Sequence, residues 1–153
     1  RINCRIIFTK PNSDSDGRVI IDMIDKYVAS HSEKAVCYTS LGYMRYLSSL
    51  QYVQAVVGNS SSGLIEVPSF GIPTVNIGDR QKGRLHAESV INCKTEEVEI
   101  YNALKTALSS EFKIKAHNVA NPYEKEGTND KILDVILNCN PKSLLKKHFY
   151  DLP

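Results

Sequence analysis

Long apolar runs, closely paired cysteines, paired histidines and blocks of like charge are all missing from this 153-residue chain, and each absence removes a class of protein. No stretch approaches about 18 consecutive apolar residues, so nothing is expected to span a membrane. The opening RINCRIIF has neither the apolar length nor the small-residue cleavage site of a signal peptide. It also has no initiator Met, so it reads as an internal start and the chain as a piece of something longer. The formal net charge is only +2, with no basic run and no aromatics interleaved among cations, so no nucleic-acid partner is expected.

Cys4, Cys37, Cys93 and Cys139 are never at CxxC spacing, and each lies in or beside an apolar run. They read as buried free thiols in a reducing cytoplasm, with disulfides or a metal site as the lesser alternatives. His31, His86, His117 and His148 are scattered, without HxxxH or a similar ligand pair, so no zinc site is expected.

What is present is ordinary globular material, 42% hydrophobic and 24% charged, enough for one domain spanning 1–153. Short apolar segments alternate with amphipathic ones. Strands are expected at 4–9, 35–41, 54–59, 73–78 and 88–93. Helices are expected at 17–30 (Ile20, Ile24, Tyr27 and Val28 inward), 43–53 (Tyr43, Leu47 and Leu50 inward) and 61–70, closed by Gly71. A further helix begins at a Thr95 cap and turns Val98, Tyr101, Leu104 and Leu108 to one side. Residues 121–129 read as loop, followed by helices over 130–138 and 142–149. The alternation predicts an α/β fold with an open, mostly parallel sheet covered on both faces. In such sheets ligands bind at the carboxyl ends of the strands, here the loops starting near Lys10, Ser40, Asn59 and Asp79.

One of those loops is unusual. The run AVV is followed by GNSSSG and then by a helical segment, a strand–loop–helix unit. Backbone N–H groups at such a helix start face outward, and small side chains let an anion reach them. Ser60, Ser61 and Ser62 add hydroxyl donors, and Gly63 keeps the approach open. A phosphate or diphosphate suits such a site. Glu66, one turn further on, offers a carboxylate that can accept hydrogen bonds from the two hydroxyls of a ribose. A plain capped helix explains the same residues without a ligand, because serines cap helices and an early Glu suits the dipole. Neither GxxxxGK[ST] nor GxGxxG is present. The loop GDRQKGR brings Arg80, Lys82 and Arg84 after the next strand, where they either flank the anion or form a solvated charged loop. KPNSDSDGR after the first strand offers Asn12, Asp14, Asp16 and Arg18, although Asx turns and Gly17 account for it as a turn. Tyr46, near the start of its helix, either stacks on a base or belongs to the core.

Taken together, GNSSSGLIEVPSFGIPTVNIGDRQKGRL resembles the signature of the hydrolysing UDP-N-acetylglucosamine 2-epimerases of sialic acid biosynthesis. KPNSDSDGR is similar to that family's PNxDxxGR segment, SLGYMRYLSSL to its next ligand loop and helix, and NPYEKEGTNDKI to its NPYGxGxxxxKI tail. The motifs run in family order over roughly residues 5 to 138. The resemblance implies a Rossmann-like domain, the C-terminal, UDP-holding half of a two-domain GT-B enzyme, here without its first βα unit. It implies that Ser60, Ser61, Ser62 and Gly63 hold the diphosphate, that Glu66 takes the ribose hydroxyls and that Arg80 faces phosphates or sugar. Asn12 and Arg18 would line the nucleotide site and Tyr46 would sit near the uracil.

The implied reaction is UDP-GlcNAc plus water giving UDP and N-acetylmannosamine, by elimination of UDP and then hydration. No metal or other cofactor is implied. The acid and base groups are expected outside this chain, on the missing N-terminal domain and on a His-bearing strand ahead of Arg1. The remaining partners implied are a UDP-sugar substrate and further copies of the enzyme, since the family forms dimers or tetramers. Because the absent strand is central in such sheets, the sheet is expected to be interrupted or to show an open edge. The rival readings are a GT-B glycosyltransferase, the non-hydrolysing 2-epimerase, which shows DSGG where this chain has SSSG, and a non-catalytic nucleotide-sugar binding module.

Overall fold

The computed structural model describes residues 2–11 and 17–141 of the chain. They fall into two compact units, one reaching from Arg1 to Asn121 and one from Pro122 onward. Asn12, Asp14, Asp16 and the expected helix at 142–149 lie outside the described residues.

The first unit is a βα alternation. Its order is β1 (Ile6–Thr9), α1 (Gly17–Ser30), β2 (Ala35–Tyr38), α2 (Gly42–Leu50), β3 (Val56–Gly58), α3 (Ser62–Ile65), a 3-10 turn at Val67–Phe70, β4 (Thr74–Ile77), β5 (Val90–Cys93), α4 (Glu97–Ala107) and α5 (Ser110–His117). Every strand pairing is parallel, which makes this an α/β fold with open parallel sheets. Ile6 pairs with Ala35, Val56 with Thr74, and Thr74 with Val90.

The sheet is in two pieces. β1 and β2 form one, and β3, β4 and β5 form the other in that order. An interruption of this kind is among the sequence expectations, and it is observed among the described residues. Burial agrees with it. The first three residues of β4, flanked on both sides, are buried, whereas the edge strands β1 and β3 alternate between half-buried and exposed.

β4 organises the core because helices cover both its faces. On one side Val75, fully buried, packs with Ala103 and Ala107 of α4, joined by Ala55, Ile77, Ile91 and Leu104. Full burial of one such valine contributes roughly 1.5–3 kcal/mol. On the other side Thr74 meets α3, its hydroxyl donating to the Gly63 carbonyl at 2.8 Å. Gly63 is needed there, because a Cβ at that position would lie 2.7 Å from Thr74 Cγ2.

Several local expectations are corrected. The helix expected over 61–70 is a single α turn followed by a 3-10 turn, because Pro68 has no N–H to continue the α ladder. Helix α4 starts from Glu96 in an extended conformation rather than from a Thr95 cap. Its small residues, Ala103 and Ala107, face the sheet, because close helix–sheet packing favours them, while Val98 and Tyr101 face outward. Tyr43 and Ile20 are likewise exposed rather than inward. Helix α5 was not anticipated. Its signal is Ser109, whose hydroxyl accepts the Phe112 N–H as an N-cap. The four thiols are free but not buried: Cys4 and Cys139 are exposed, and Cys37 and Cys93 are half-buried because their strands are incompletely covered.

In the second unit the described helix is α6 (Thr128–Asn138), starting after Gly127. No helix among the described residues is long and apolar enough to cross a membrane. No three metal-ligating side chains of the His, Cys, Asp or Glu type gather among them.

Candidate functional site

The loop 58–63 turns sharply as it leaves β3. Gly58 has φ +152°, a conformation side chains strongly disfavour, and the chain then coils directly into α3. Within the coil some donors are already used. The Gly63 N–H reaches the Ser60 carbonyl at 3.2 Å, and the Leu64 N–H reaches the Ser61 carbonyl at 3.0 Å. The Ser62 N–H has a long bond, 3.4 Å, to the Ser60 hydroxyl. The backbone N–H groups of Ser60 and Ser61 have no partner among the described residues. Unsatisfied N–H donors in a small-residue turn suit an oxyanion.

The loop after β4 meets this turn. Gln81 Nε2 donates to the Asn59 carbonyl at 2.7 Å, and Arg80 Nη1 approaches the same oxygen at 3.5 Å. Arg80, Lys82 and Arg84 are exposed, and none has a carboxylate in ion-pair range among the described residues. Arg80, with no ion pair among the described residues, thus lies beside unsatisfied amides at the carboxyl ends of β3 and β4.

Behind the turn lie Tyr46 and Glu66. The Ser62 hydroxyl bonds the Tyr46 phenol, so α2 braces the serine turn from the side. Glu66 ends α3 with its backbone N–H on the Ser62 carbonyl, and its Oε2 is buried with no hydrogen-bond partner. An unpaired buried acceptor is costly and awaits a donor. Burial raises the Tyr46 pKa above its usual value, the Glu66 charge adds to this, and the Ser62 hydrogen bond opposes it. Tyr46 is therefore a neutral hydrogen-bonding group at neutral pH. Since its folded pKa exceeds that of the unfolded chain, its stabilising contribution is complete below about pH 10 and fades as pH rises beyond that value. Alkaline unfolding of a Tyr46→Phe variant, followed by circular dichroism between about pH 9 and 12, is expected to be less steep than that of the parent.

The structure thus brings Ser60, Ser61, Ser62, Gly63, Glu66, Tyr46 and Arg80 into one neighbourhood. Arg18 lies exposed in the first turn of α1, with no hydrogen bond or ion pair to this group among the described residues. Two contributors escaped the sequence reading. Gln81 sits between two cations and carries no motif of its own. Asn121, from NPYEKEG, donates to the Ile65 carbonyl at 2.8 Å and to the Ser69 hydroxyl at 2.7 Å, closing the end of α3.

Comparison with known proteins identifies the family. Residues 1–137 match the model of the family described as UDP-N-acetylglucosamine 2-epimerase. The chain belongs to that family. It is 39% identical over 151 residues to a GDP/UDP-N,N'-diacetylbacillosamine 2-epimerase (hydrolyzing) of Campylobacter jejuni, covering 98% of this chain and 39% of that protein. It is 33% identical over 148 residues to the polysialic acid biosynthesis protein P7 of Escherichia coli, covering 96% and 37% respectively. It is 30% identical over 148 residues to a UDP-N-acetylglucosamine 2-epimerase of Neisseria meningitidis serogroup B, covering 96% and 38%. The chain therefore spans less than two fifths of the length of these relatives, and the match falls in their C-terminal region.

Proposed function

We propose that this chain is the UDP-holding part of a cytoplasmic 2-epimerase that hydrolyses UDP-N-acetylglucosamine to N-acetylmannosamine and UDP. The observation that carries the reading is the pairing of the unpartnered Ser60 and Ser61 N–H groups with the uncompensated Arg80 beside them. As the C1–O bond of the sugar breaks, the electron pair goes to the β-phosphate oxygen and negative charge grows there. Donors and a guanidinium held in place before the reaction stabilise that charge without reorganising. Glu66, with its unpaired Oε2, accepts from the ribose hydroxyls. Ser62 and Gly63 serve by shaping the turn, since their hydroxyl and N–H are already engaged. By the family resemblance, Asn12 and Arg18 would line the nucleotide side and Tyr46 the uracil. Protons at C2 and C3 are handled by groups that this chain does not supply.

The test uses the full-length polypeptide that carries this chain, incubated with UDP-GlcNAc. Release of UDP with N-acetylmannosamine is expected. Retention of UDP on an epimerised sugar would assign the non-hydrolysing reaction, and no turnover together with nucleotide binding would assign a binding module. A Ser61→Ala change leaves the backbone N–H in place and is expected to weaken UDP only by roughly five- to tenfold in calorimetric titration.

A second reading of the substrate rests on the 39% identity to a protein named for a diacetamido sugar. It predicts faster turnover of UDP-2,4-diacetamido sugars than of UDP-GlcNAc in a side-by-side assay.

A further inference from the structure

Along the loop after β4 one side chain behaves unlike its neighbours. Arg80, Lys82, Arg84, Leu85 and His86 are exposed, whereas Gln81 between them is only 4% exposed. Burying a carboxamide is unfavourable unless its polar atoms are satisfied, and ordering so long a side chain adds an entropy cost. Gln81 recovers little of this. Its Nε2 donates to the Asn59 carbonyl at 2.7 Å, and its Oε1 is buried without a partner. A residue placed at such expense for a single bond is placed for what that bond orients.

The bond fixes one peptide unit. The Asn59 carbonyl and the Ser60 N–H belong to the same planar trans peptide, so they point in opposite directions. Holding the carbonyl on Gln81 turns the Ser60 N–H away from Gln81 and keeps it unengaged. Just upstream, Gly58 is a residue type whose backbone is free to turn over. Without the Gln81 bond the 59–60 peptide can rotate and present a carbonyl where an anion requires a donor. Arg80 is a poor substitute, since its 3.5 Å approach to the same carbonyl is at the limit of a hydrogen bond.

We infer that Gln81 is a positioning residue of the nucleotide site, holding the Asn59–Ser60 peptide so that its N–H faces the diphosphate. The inference deepens the UDP reading above and rests on it. Arg80 is then free to serve the phosphates, while Gln81 keeps the turn in register through its neutral amide.

The experiment compares the parent with Gln81→Met, which keeps the side-chain length without the donor, and with Gln81→Glu, all in the full-length polypeptide. In Gln81→Met the Gly63 and Leu64 amides are expected to exchange hydrogen faster, while those of β4 and α4 keep their protection. UDP affinity is expected to fall by about tenfold and uridine affinity to stay within twofold, because only the diphosphate uses the turned peptide. For Gln81→Glu, a protonated carboxyl still donates to the Asn59 carbonyl and an ionised one cannot. Its UDP affinity relative to the parent at the same pH is therefore expected to worsen from pH 5 to pH 8, with that of Gln81→Met flat over the range.

Unchanged exchange at Gly63 and Leu64, or equal losses of UDP and uridine, would overturn the assignment. Failure of the parent itself to bind UDP would remove the nucleotide reading, and with it the assigned role, while faster exchange in Gln81→Met would still identify the pin.

Discussion

Replacing Arg80 by Ala is expected to weaken UDP binding ten- to hundredfold and to lower turnover of a UDP-sugar by about two to three orders of magnitude. The first figure follows from the loss of a charge-assisted hydrogen bond, about 1.5–3 kcal/mol. The second follows from the removal of a donor aimed at charge that develops only as the leaving group departs. Arg80 is exposed, has no carboxylate in ion-pair range among the described residues, and makes only a long contact to the Asn59 carbonyl. Little in the protein therefore holds the guanidinium away from a phosphate, and its loss should leave the fold unharmed. Arg80→Lys restores the charge but not the two-pronged geometry and is expected to recover only part of the affinity. Equal UDP affinity of Arg80→Ala and the parent, measured by calorimetry at low and physiological salt, would remove Arg80 from the site.

Gly63→Ala is expected to destabilise the first unit by about 1–3 kcal/mol, seen as a Tm lowered by several degrees in thermal melting. The new methyl would lie 2.7 Å from Thr74 Cγ2. The threonine cannot rotate away without breaking its 2.8 Å hydrogen bond to the Gly63 carbonyl. Both residues are buried, so strain passes to α3 and from there to the serine turn. The pair supplies its own control. Thr74→Ser keeps the hydroxyl and deletes Cγ2, so the double variant is expected to recover most of the loss, a non-additivity that reports direct contact. Additive destabilisation in the four-member set would mean that the two side chains do not meet.

The interrupted sheet has a bearing on both measurements. Ile7 and Val57, on the edge strands β1 and β3, are 49% and 46% exposed, although strands with helices on both sides usually bury such residues. Apolar edges of this kind recruit further strands. Both sets of variants are therefore measured in the full-length polypeptide.

Much of the architecture was readable from pattern. Each of the five strands lies within its expected segment, and α1 matches its expected bounds, because alternation of short apolar runs with amphipathic ones leaves few other folds open. Faces were read less well. The inward residues of α4 are alanines, which carry little hydrophobic signal, so Val98 and Tyr101 drew an attention that belonged to Ala103 and Ala107. The serine turn, Glu66 and Arg80 were marked by composition and motif. Gln81 and Asn121 lie within quoted motifs but carry no readable role there, because Gln81 acts on a carbonyl 22 residues away and Asn121 on partners 52 and 56 residues away, and no local pattern encodes such partners.

What the sequence by itself determined is the class of fold, from its hydrophobic period, and the family, from the resemblance of its motifs. It also singled out the small polar turn as the proposed phosphate site, and all of these are local properties. What only the tertiary structure decided is which donors remain available. It engaged the Gly63 N–H and the Ser62 hydroxyl, left the Ser60 and Ser61 N–H groups unpartnered among the described residues, and set Gln81 to hold the peptide between Asn59 and Ser60. The reason is that a hydrogen-bond donor serves a ligand only if the folded chain has not already satisfied it, and that depends on neighbours brought together from distant parts of the sequence.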